Sequence, residues 1–202
     1  MLFRSLVQPL REAAVTFMSQ QKSMDELVLP FLEVIQVNDA EKQKLEEETR
    51  KQHLSEQLKN QRFGRITASV IHEVMTKTEI IIANRRRRKN VVPKYSPLVN
   101  KIINGNPDIG MLESVKWGKL HEDDAIRTFM AEEAVKHDGG LYNVRKCGLL
   151  VKTDEPFLGA SPDGLFSCKF CGTAVLKAKC PYSIKDQTIV RKLISLKCVM
   201  VI

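Results

Sequence analysis

Residues 112–137 read LESVKWGKLHEDDAIRTFMAEEAVKH, and this segment sets the class of fold. Its apolar positions recur with the period of an α-helix, which predicts one long amphipathic helix. Glu122 lies on the same face as the apolar residues Ala125, Ile126, Phe129 and Met130. A carboxylate on a buried face is costly unless a positive group meets it. Glu122 therefore either reaches solvent at the edge of this face or has such a partner.

The period changes after Tyr142. Short β-prone segments separated by turn residues follow, at Val144–Val151, Phe157–Ser161, Leu165–Cys168 and Thr173–Cys180. A helix followed by a three-stranded meander, with a further helix from Ser183 to about Leu193, predicts an α+β core.

Helical segments also precede residue 112. Residues 2–18 have helical spacing, Met24 to Ile35 is apolar but interrupted by Pro30, and Asp39 to Gln61 predicts one long, solvated helix. We expect residues 1–48 to form an acidic helical N-terminal extension and residues 49–202 to form the main domain.

Two shorter helices are predicted between this extension and residue 112. Ile66 to Met75 is expected to be helical, with Thr67 as its N-cap. Ser96 followed by Pro97 is typical of a helix start, and Gly105 of a helix end.

Composition limits the class of protein. The chain has 202 residues, of which 43% are hydrophobic and 28% charged, as in globular domains. No apolar run of membrane-spanning length and no secretory signal are evident, so we expect no membrane association and no secretion. Five cysteines, an odd number, favour free thiols in an intracellular, reducing compartment.

The positive charge is concentrated in the main domain. Residues 1–48 hold five Lys or Arg and nine Asp or Glu, whereas residues 49–202 hold 27 and 15. The main domain therefore carries a net charge of +12. This excess indicates either a polyanionic partner, with DNA as the candidate, or a solvated surface rich in lysine.

Four segments carry the candidate chemistry: RITAS at 65–69, WGKLHE at 117–122, GASPDG at 159–164 and LKAKCPYS at 176–183. Hydrolysis of a phosphodiester needs a divalent metal held by carboxylates and a lysine near the attacking water. Asp163 supplies an aspartate at a turn, Lys179 supplies the lysine, and Glu122 can approach from the preceding helix.

These segments resemble the YqaJ-type viral recombinase domain, which is related to the phage lambda-type exonuclease within the PD-(D/E)XK nuclease superfamily. The resemblance extends from Thr49 to Asp186. It includes TRKQ at 49–52 and RFGRITAS at 62–69, followed by the three later segments in the family's order. It implies a restriction-endonuclease-like core and DNA recombination or repair as the setting.

The resemblance also implies an activity and roles for individual residues. The activity is metal-dependent DNA exonuclease chemistry with magnesium or manganese and no small-molecule cofactor. Glu122 and Asp163 match the acidic, metal-binding positions, and Lys179 matches the catalytic lysine. Arg65 and Ser69 match a motif that contacts the 5′ end or a phosphate of DNA.

The chain departs from the family pattern in two places. The family has an acid two residues before the catalytic lysine, and here that position is Lys177. Strand alternation would place Lys177 and Lys179 on one face, where two ammonium groups repel a divalent cation. The sequence after Lys185 does not match the expected continuation, so we expect a domain that is incomplete at its C-terminus. The exonuclease is then impaired, or the chain is a non-catalytic remnant that binds DNA or protein.

Two smaller features remain open. Asn84 to Pro93 is predicted to be a loop. It carries Arg85, Arg86, Arg87 and Arg88, a run that suits a nuclear import signal, a DNA phosphate contact or a solvated surface. Cys168 and Cys171 form a CxxC pair, for which a plain hairpin turn is favoured over a zinc site because two further ligands would be needed.

Overall fold

A computed structural model describes residues 8–20, 23–52, 55–88, 96–105, 110–136, 142–170 and 172–185. These residues form seven α-helices, six β-strands and a short 3₁₀ helix at Tyr182–Ile184. The α-helices are α1 (Leu10–Met18), α2 (Met24–Val34), α3 (Asp39–Glu48), α4 (Glu56–Arg62), α5 (Ile71–Arg86), α6 (Ser96–Asn104) and α7 (Glu113–Lys136). The strands are β1 (Ile66–Thr67), β2 (Tyr142–Arg145), β3 (Leu150–Val151), β4 (Leu158–Ala160), β5 (Gly164–Cys168) and β6 (Gly172–Leu176).

The chain divides into two compact units, and both are discontinuous in sequence. The first comprises Met1–Asn106 with Gly148–Ser161, and the second comprises Pro107–Cys147 with Pro162–Ile202. The predicted α+β class is confirmed, including the helical N-terminal region. The domain boundary expected after residue 48 falls inside the first unit.

A small sheet and a surrounding set of helices make up the first unit. Its strand order is β1-β4-β3, with β1 parallel and β3 antiparallel to β4. The larger of its two buried clusters joins α3, α4 and β3 through Val37, Leu45, Leu58, Leu149 and Val151. Residues of the acidic N-terminal segment are therefore part of the core of this unit.

The junction between α3 and Gly148 is tightly packed. The Thr49 hydroxyl donates to the Leu45 carbonyl oxygen at 2.6 Å and accepts the Leu149 N–H at 2.7 Å. Glu46 Oε1 accepts the N–H of Gly148 at 3.0 Å. A Cβ added to Gly148 would lie 1.9 Å from the Glu46 carbonyl oxygen, so only glycine fits there.

The single helix expected over Asp39 to Gln61 is wrong. The segment contains two helices, α3 and α4, because polar side chains cap both. Asn38 accepts the N–H of Glu41 and opens α3, and Ser55 accepts the N–H of Leu58 and opens α4. Asn and Ser are strong N-caps, and their local signal exceeds that of the continuous charged pattern.

The expected helix from Ile66 to Met75 begins later than predicted. Ile66 and Thr67 form β1, and the Ile66 N–H donates to the Phe157 carbonyl oxygen at 2.8 Å. Pairing with β4 therefore overrides the capping role expected of Thr67. The predicted start and end of α6 are confirmed, and Gly105 has a φ of +76°, as expected of a residue that ends a helix.

The second unit contains α7 and a three-stranded antiparallel sheet of order β2-β5-β6. The long helix predicted from residues 112–137 is confirmed as α7. Its Phe129 packs on a buried cluster of the sheet formed by Phe166, Cys168, Ala174 and Leu176.

The strand expected over Val144–Val151 is divided. Its first half pairs as β2 with β5, and its second half pairs as β3 with β4 in the first unit. The chain between them, Lys146–Leu149, lies in neither strand. β6 ends at Leu176, earlier than predicted. The helix expected from Ser183 to about Leu193 lies largely outside the described residues, which include only its start, in the 3₁₀ helix Tyr182–Ile184.

Candidate functional site

Asp163 lies immediately before β5, and the end of β6 fixes its carboxylate. The side chain is 2% exposed. Its backbone N–H donates to the Leu176 carbonyl oxygen at 3.0 Å, and its Oδ2 accepts the N–H of Ala178 at 2.7 Å. Lys177 Nζ forms an ion pair with Oδ1 of the same carboxylate. Both oxygens of Asp163 are therefore engaged by the segment that follows β6.

Lys177 is exposed to solvent and also contacts the buried Asp163 carboxylate. Its side chain is 57% exposed, although its ammonium group binds Asp163. An ammonium group carries three N–H donors, so Lys177 can bind Asp163 and a second acceptor together. Lys179 is also exposed. The two lysines do not share a strand face as predicted, because β6 ends at Leu176 before either of them.

Glu122 projects from α7 into the field of the same charges. It is half-buried, and its pKa is raised first by that burial and second by the Asp163 carboxylate. Lys177 and Lys146 oppose the rise. Burial thus disfavours the charged form of Glu122. The second unit brings Glu122, Asp163 and Lys177 into one electrostatic neighbourhood.

An aromatic cluster ties the segment after β6 to α7. The ring centroid of Trp117 lies 3.9 Å from that of His121 and 6.1 Å from that of Tyr182. The Tyr182 hydroxyl donates to Glu113 Oε2 at 2.8 Å. These contacts hold one end of the lysine-bearing segment, and the contacts of Asp163 with Lys177 and Ala178 hold the other end. No signal in the sequence predicted the contact of Tyr182 with Glu113.

Cys180 lies in this same segment. Its thiol donates to the His121 carbonyl oxygen at 3.5 Å. Burial raises the pKa of Cys180, and the charges of Glu122, Asp124 and Asp163 add to the rise. The thiol is therefore held in its protonated, poorly nucleophilic form.

Arg65 is buried in the interior of the first unit, with 2% exposure. Its guanidinium donates to the Gln61 carbonyl oxygen at 2.8 Å, to Gln61 Oε1 at 3.2 Å and to the Pro156 carbonyl oxygen. Burial lowers the pKa of Arg65 to about 10. This arrangement does not fit the predicted contact with DNA, because a phosphate cannot reach a group so enclosed. Ser69 is exposed, and its hydroxyl lies 2.9 Å from that of Thr67.

The arginine run is not the loop that was predicted. Arg85 and Arg86 form the last turn of α5, and Arg87 and Arg88 follow in a turn. Their side chains are all exposed. Arg88 has a φ of +51°, the left-handed conformation in which a helix often ends, although glycine usually occupies that place.

The structure describes one cysteine of the CxxC pair that was considered as a zinc site. Cys168 is buried and accepts the N–H of Phe170 at 3.4 Å, whereas Cys171 lies outside the described residues. Within the described ranges, no group of three His, Cys, Asp or Glu side chains is arranged to hold a metal ion.

The residues at Asp163 do not fit a divalent metal. Magnesium prefers oxygen ligands in octahedral geometry. Here Lys177 and the Ala178 N–H engage both oxygens of Asp163, and the pKa of Glu122 is raised by burial. Lys177 also places a positive charge where the YqaJ-type pattern has a metal-binding acid.

Comparison with known proteins agrees with the pattern of motifs. The family model described as YqaJ-like viral recombinase domain matches residues 57–192. None of the curated proteins matches the chain.

The match begins at the second residue of α4, so α1, α2 and α3 lie outside the matched region.

Across the part of the chain that the structure describes, every helix is too short or too polar to cross a lipid bilayer.

Proposed function

Because the chain belongs to the family of YqaJ-like viral recombinase domains, whose function is DNA processing of the nuclease type, we propose that it binds DNA while Lys177 suppresses its metal-dependent exonuclease activity. The ion pair between Lys177 and Asp163 is the observation that carries this proposal. It neutralises the buried carboxylate that the family resemblance assigns to metal binding.

The proposal gives each site residue a defined part. Glu122 and Asp163 are the remaining acids, and Lys179 is the exposed lysine that the resemblance assigns to catalysis. The ammonium group of Lys177 forms an ion pair with Asp163, and a positive charge held beside this carboxylate repels a divalent metal ion. Hydrolysis of phosphodiester bonds should therefore be slow or absent in the natural sequence.

Charge outside this site also supports DNA binding. Residues 49–202 carry a net charge of +12, and Arg85 to Arg88 present four exposed guanidinium groups. Arginine pairs well with phosphate because its planar group donates two parallel hydrogen bonds. We assign these arginines, with Ser69, to contacts with the DNA backbone.

The variant Lys177→Glu tests the proposal, because it restores the acid of the family pattern. Linear duplex DNA is incubated with the wild type, with Lys177→Glu, and with Lys177→Glu combined with Asp163→Ala, each in magnesium and in manganese. We expect little cleavage by the wild type, clear cleavage by Lys177→Glu, and loss of that gain in the double variant.

Two results would contradict this expectation. Strong wild-type cleavage that disappears in Asp163→Ala would show that another acid replaces the missing ligand. No cleavage by a correctly folded Lys177→Glu variant would favour the non-catalytic alternative, a remnant of the nuclease fold that binds DNA or protein.

A further inference from the structure

The net charge of the site leads to an inference that rests on the proposed function. The family pattern places three carboxylates and one lysine at these positions, which leaves two negative charges for a divalent ion to neutralise. Here the four positions are Glu122, Asp163, Lys177 and Lys179, so the charges of two acids and two lysines cancel. In this chain the four side chains have no net charge without an ion, whereas the family pattern becomes neutral only when a divalent ion is bound.

We infer that Lys177 replaces the metal as the cation at this site, so that Lys177 and Lys179 hold a DNA phosphate without any divalent ion. Three observations support this assignment. Lys177 Nζ is anchored on Asp163 Oδ1, Ala178 between the two lysines donates its N–H to Oδ2, and the Asp163 side chain is only 2% exposed. A phosphate arriving from solvent therefore meets the exposed ammonium group of Lys177 before the buried, neutralised carboxylate, and Lys179 is exposed two residues further along the chain.

The contact with Asp163 anchors the Lys177 ammonium group, so this cation is prepared for a ligand and is not a mobile surface charge. A lysine side chain loses much conformational freedom when it binds, and the ion pair with Asp163 has already restricted Lys177. The hydrogen bonds of the Tyr182 hydroxyl and the Cys180 thiol to residues of α7 hold the segment beyond Lys179. The ligand class is the phosphodiester backbone of DNA.

The test measures DNA affinity and not cleavage. Fluorescence anisotropy of a labelled linear duplex is recorded at constant ionic strength, once with EDTA and once with calcium chloride. The wild type, Lys177→Glu, Lys177→Gln and Lys169→Glu are compared. Lys169→Glu is the matched control, because it makes the same charge change at an exposed turn between β5 and β6.

We expect the wild type and Lys169→Glu to have the same ratio of affinities in the two buffers. Lys177→Glu should bind about tenfold more weakly in EDTA and recover in calcium, because its carboxylates then need an ion. Lys177→Gln should weaken binding equally in both buffers, since it removes the cation without adding a ligand. This neutral variant decides the question if Lys177→Glu fails to fold.

The outcomes separate this inference from the proposed function. Wild-type binding that is lost in EDTA, a calcium response of Lys177→Glu no larger than that of Lys169→Glu, or full affinity of Lys177→Gln would overturn the inference alone. Failure of the folded wild type to bind DNA in either buffer would overturn the proposed function, and the inference with it.

Discussion

Replacing Arg85, Arg86, Arg87 and Arg88 by alanine should flatten the salt dependence of DNA binding. Each phosphate contact made by a cation contributes about 0.9 to the slope of log affinity against log salt concentration for duplex DNA. The four side chains are exposed, so their combined contribution has an upper limit of about 3.6 in that slope.

The backbone geometry reduces this limit. Arg85 and Arg86 are consecutive in the last turn of α5, and consecutive helical side chains point about 100° apart. Arg87 and Arg88 continue into the turn, where the left-handed backbone of Arg88 redirects the chain. A single DNA strand can then meet two or three of the four, and we expect the slope to fall by about 2 to 3.

The assay is a titration of a labelled duplex at several salt concentrations. A variant with lysine at all four positions is the control, because it keeps the charges and should keep most of the slope. An alanine variant with the wild-type slope would remove this run from the DNA interface. Equal losses in the lysine and alanine variants would show that charge is not the cause.

Three further predictions concern stability. Thr49→Val keeps the shape of the side chain but leaves the buried Leu149 N–H without its acceptor, so urea denaturation should show a loss of about 2 kcal/mol, whereas Thr49→Ser should lose less. Gly148→Ala places a methyl group against the backbone of Glu46, and we expect a loss above about 3 kcal/mol or failure to fold, read by circular dichroism; a normal melt would refute the clash. Burial raises the pKa of Glu122, so the folded chain holds this proton at a higher pH than the unfolded chain, and stability falls as pH rises from 4.5 through the folded pKa. Glu122→Gln removes that effect, and its advantage in unfolding free energy over the wild type should grow across this range; a constant difference would refute it.

Local signals in the sequence predicted some elements well. The period of α7, and the Ser-Pro start and glycine end of α6, depend on residues within a few positions of each other, so they can be recognised without knowledge of the fold. The arginine run was assigned to a loop over Asn84 to Pro93, but its first two residues complete α5. Arg88 ends the helix by adopting a left-handed backbone itself, and the sequence carries no signal for that.

Contacts between distant residues were harder to predict. Arg65 was assigned to DNA because of its motif, but its burial depends on the carbonyl oxygen of Pro156, which is distant in sequence. The ion pair of Asp163 with Lys177 could have been predicted from the register of the β5–β6 hairpin. Gly164 pairs with Leu176 in the β5–β6 hairpin, and one step further along that register brings Asp163 opposite Lys177. The register was the missing information, since residue types alone suggested only repulsion of a metal.

The division of each compact unit into two sequence segments has a practical consequence for anyone who expresses part of this protein. A fragment that stops at residue 106 would contain β1 without β4, its partner in the sheet. It would also lack Leu149, which is fully buried in the hydrophobic core, and the Pro156 carbonyl oxygen that accepts from Arg65. The fragment would expose a buried cation and an unfilled core, so a soluble first unit requires Gly148–Ser161 to be joined to it by a designed linker.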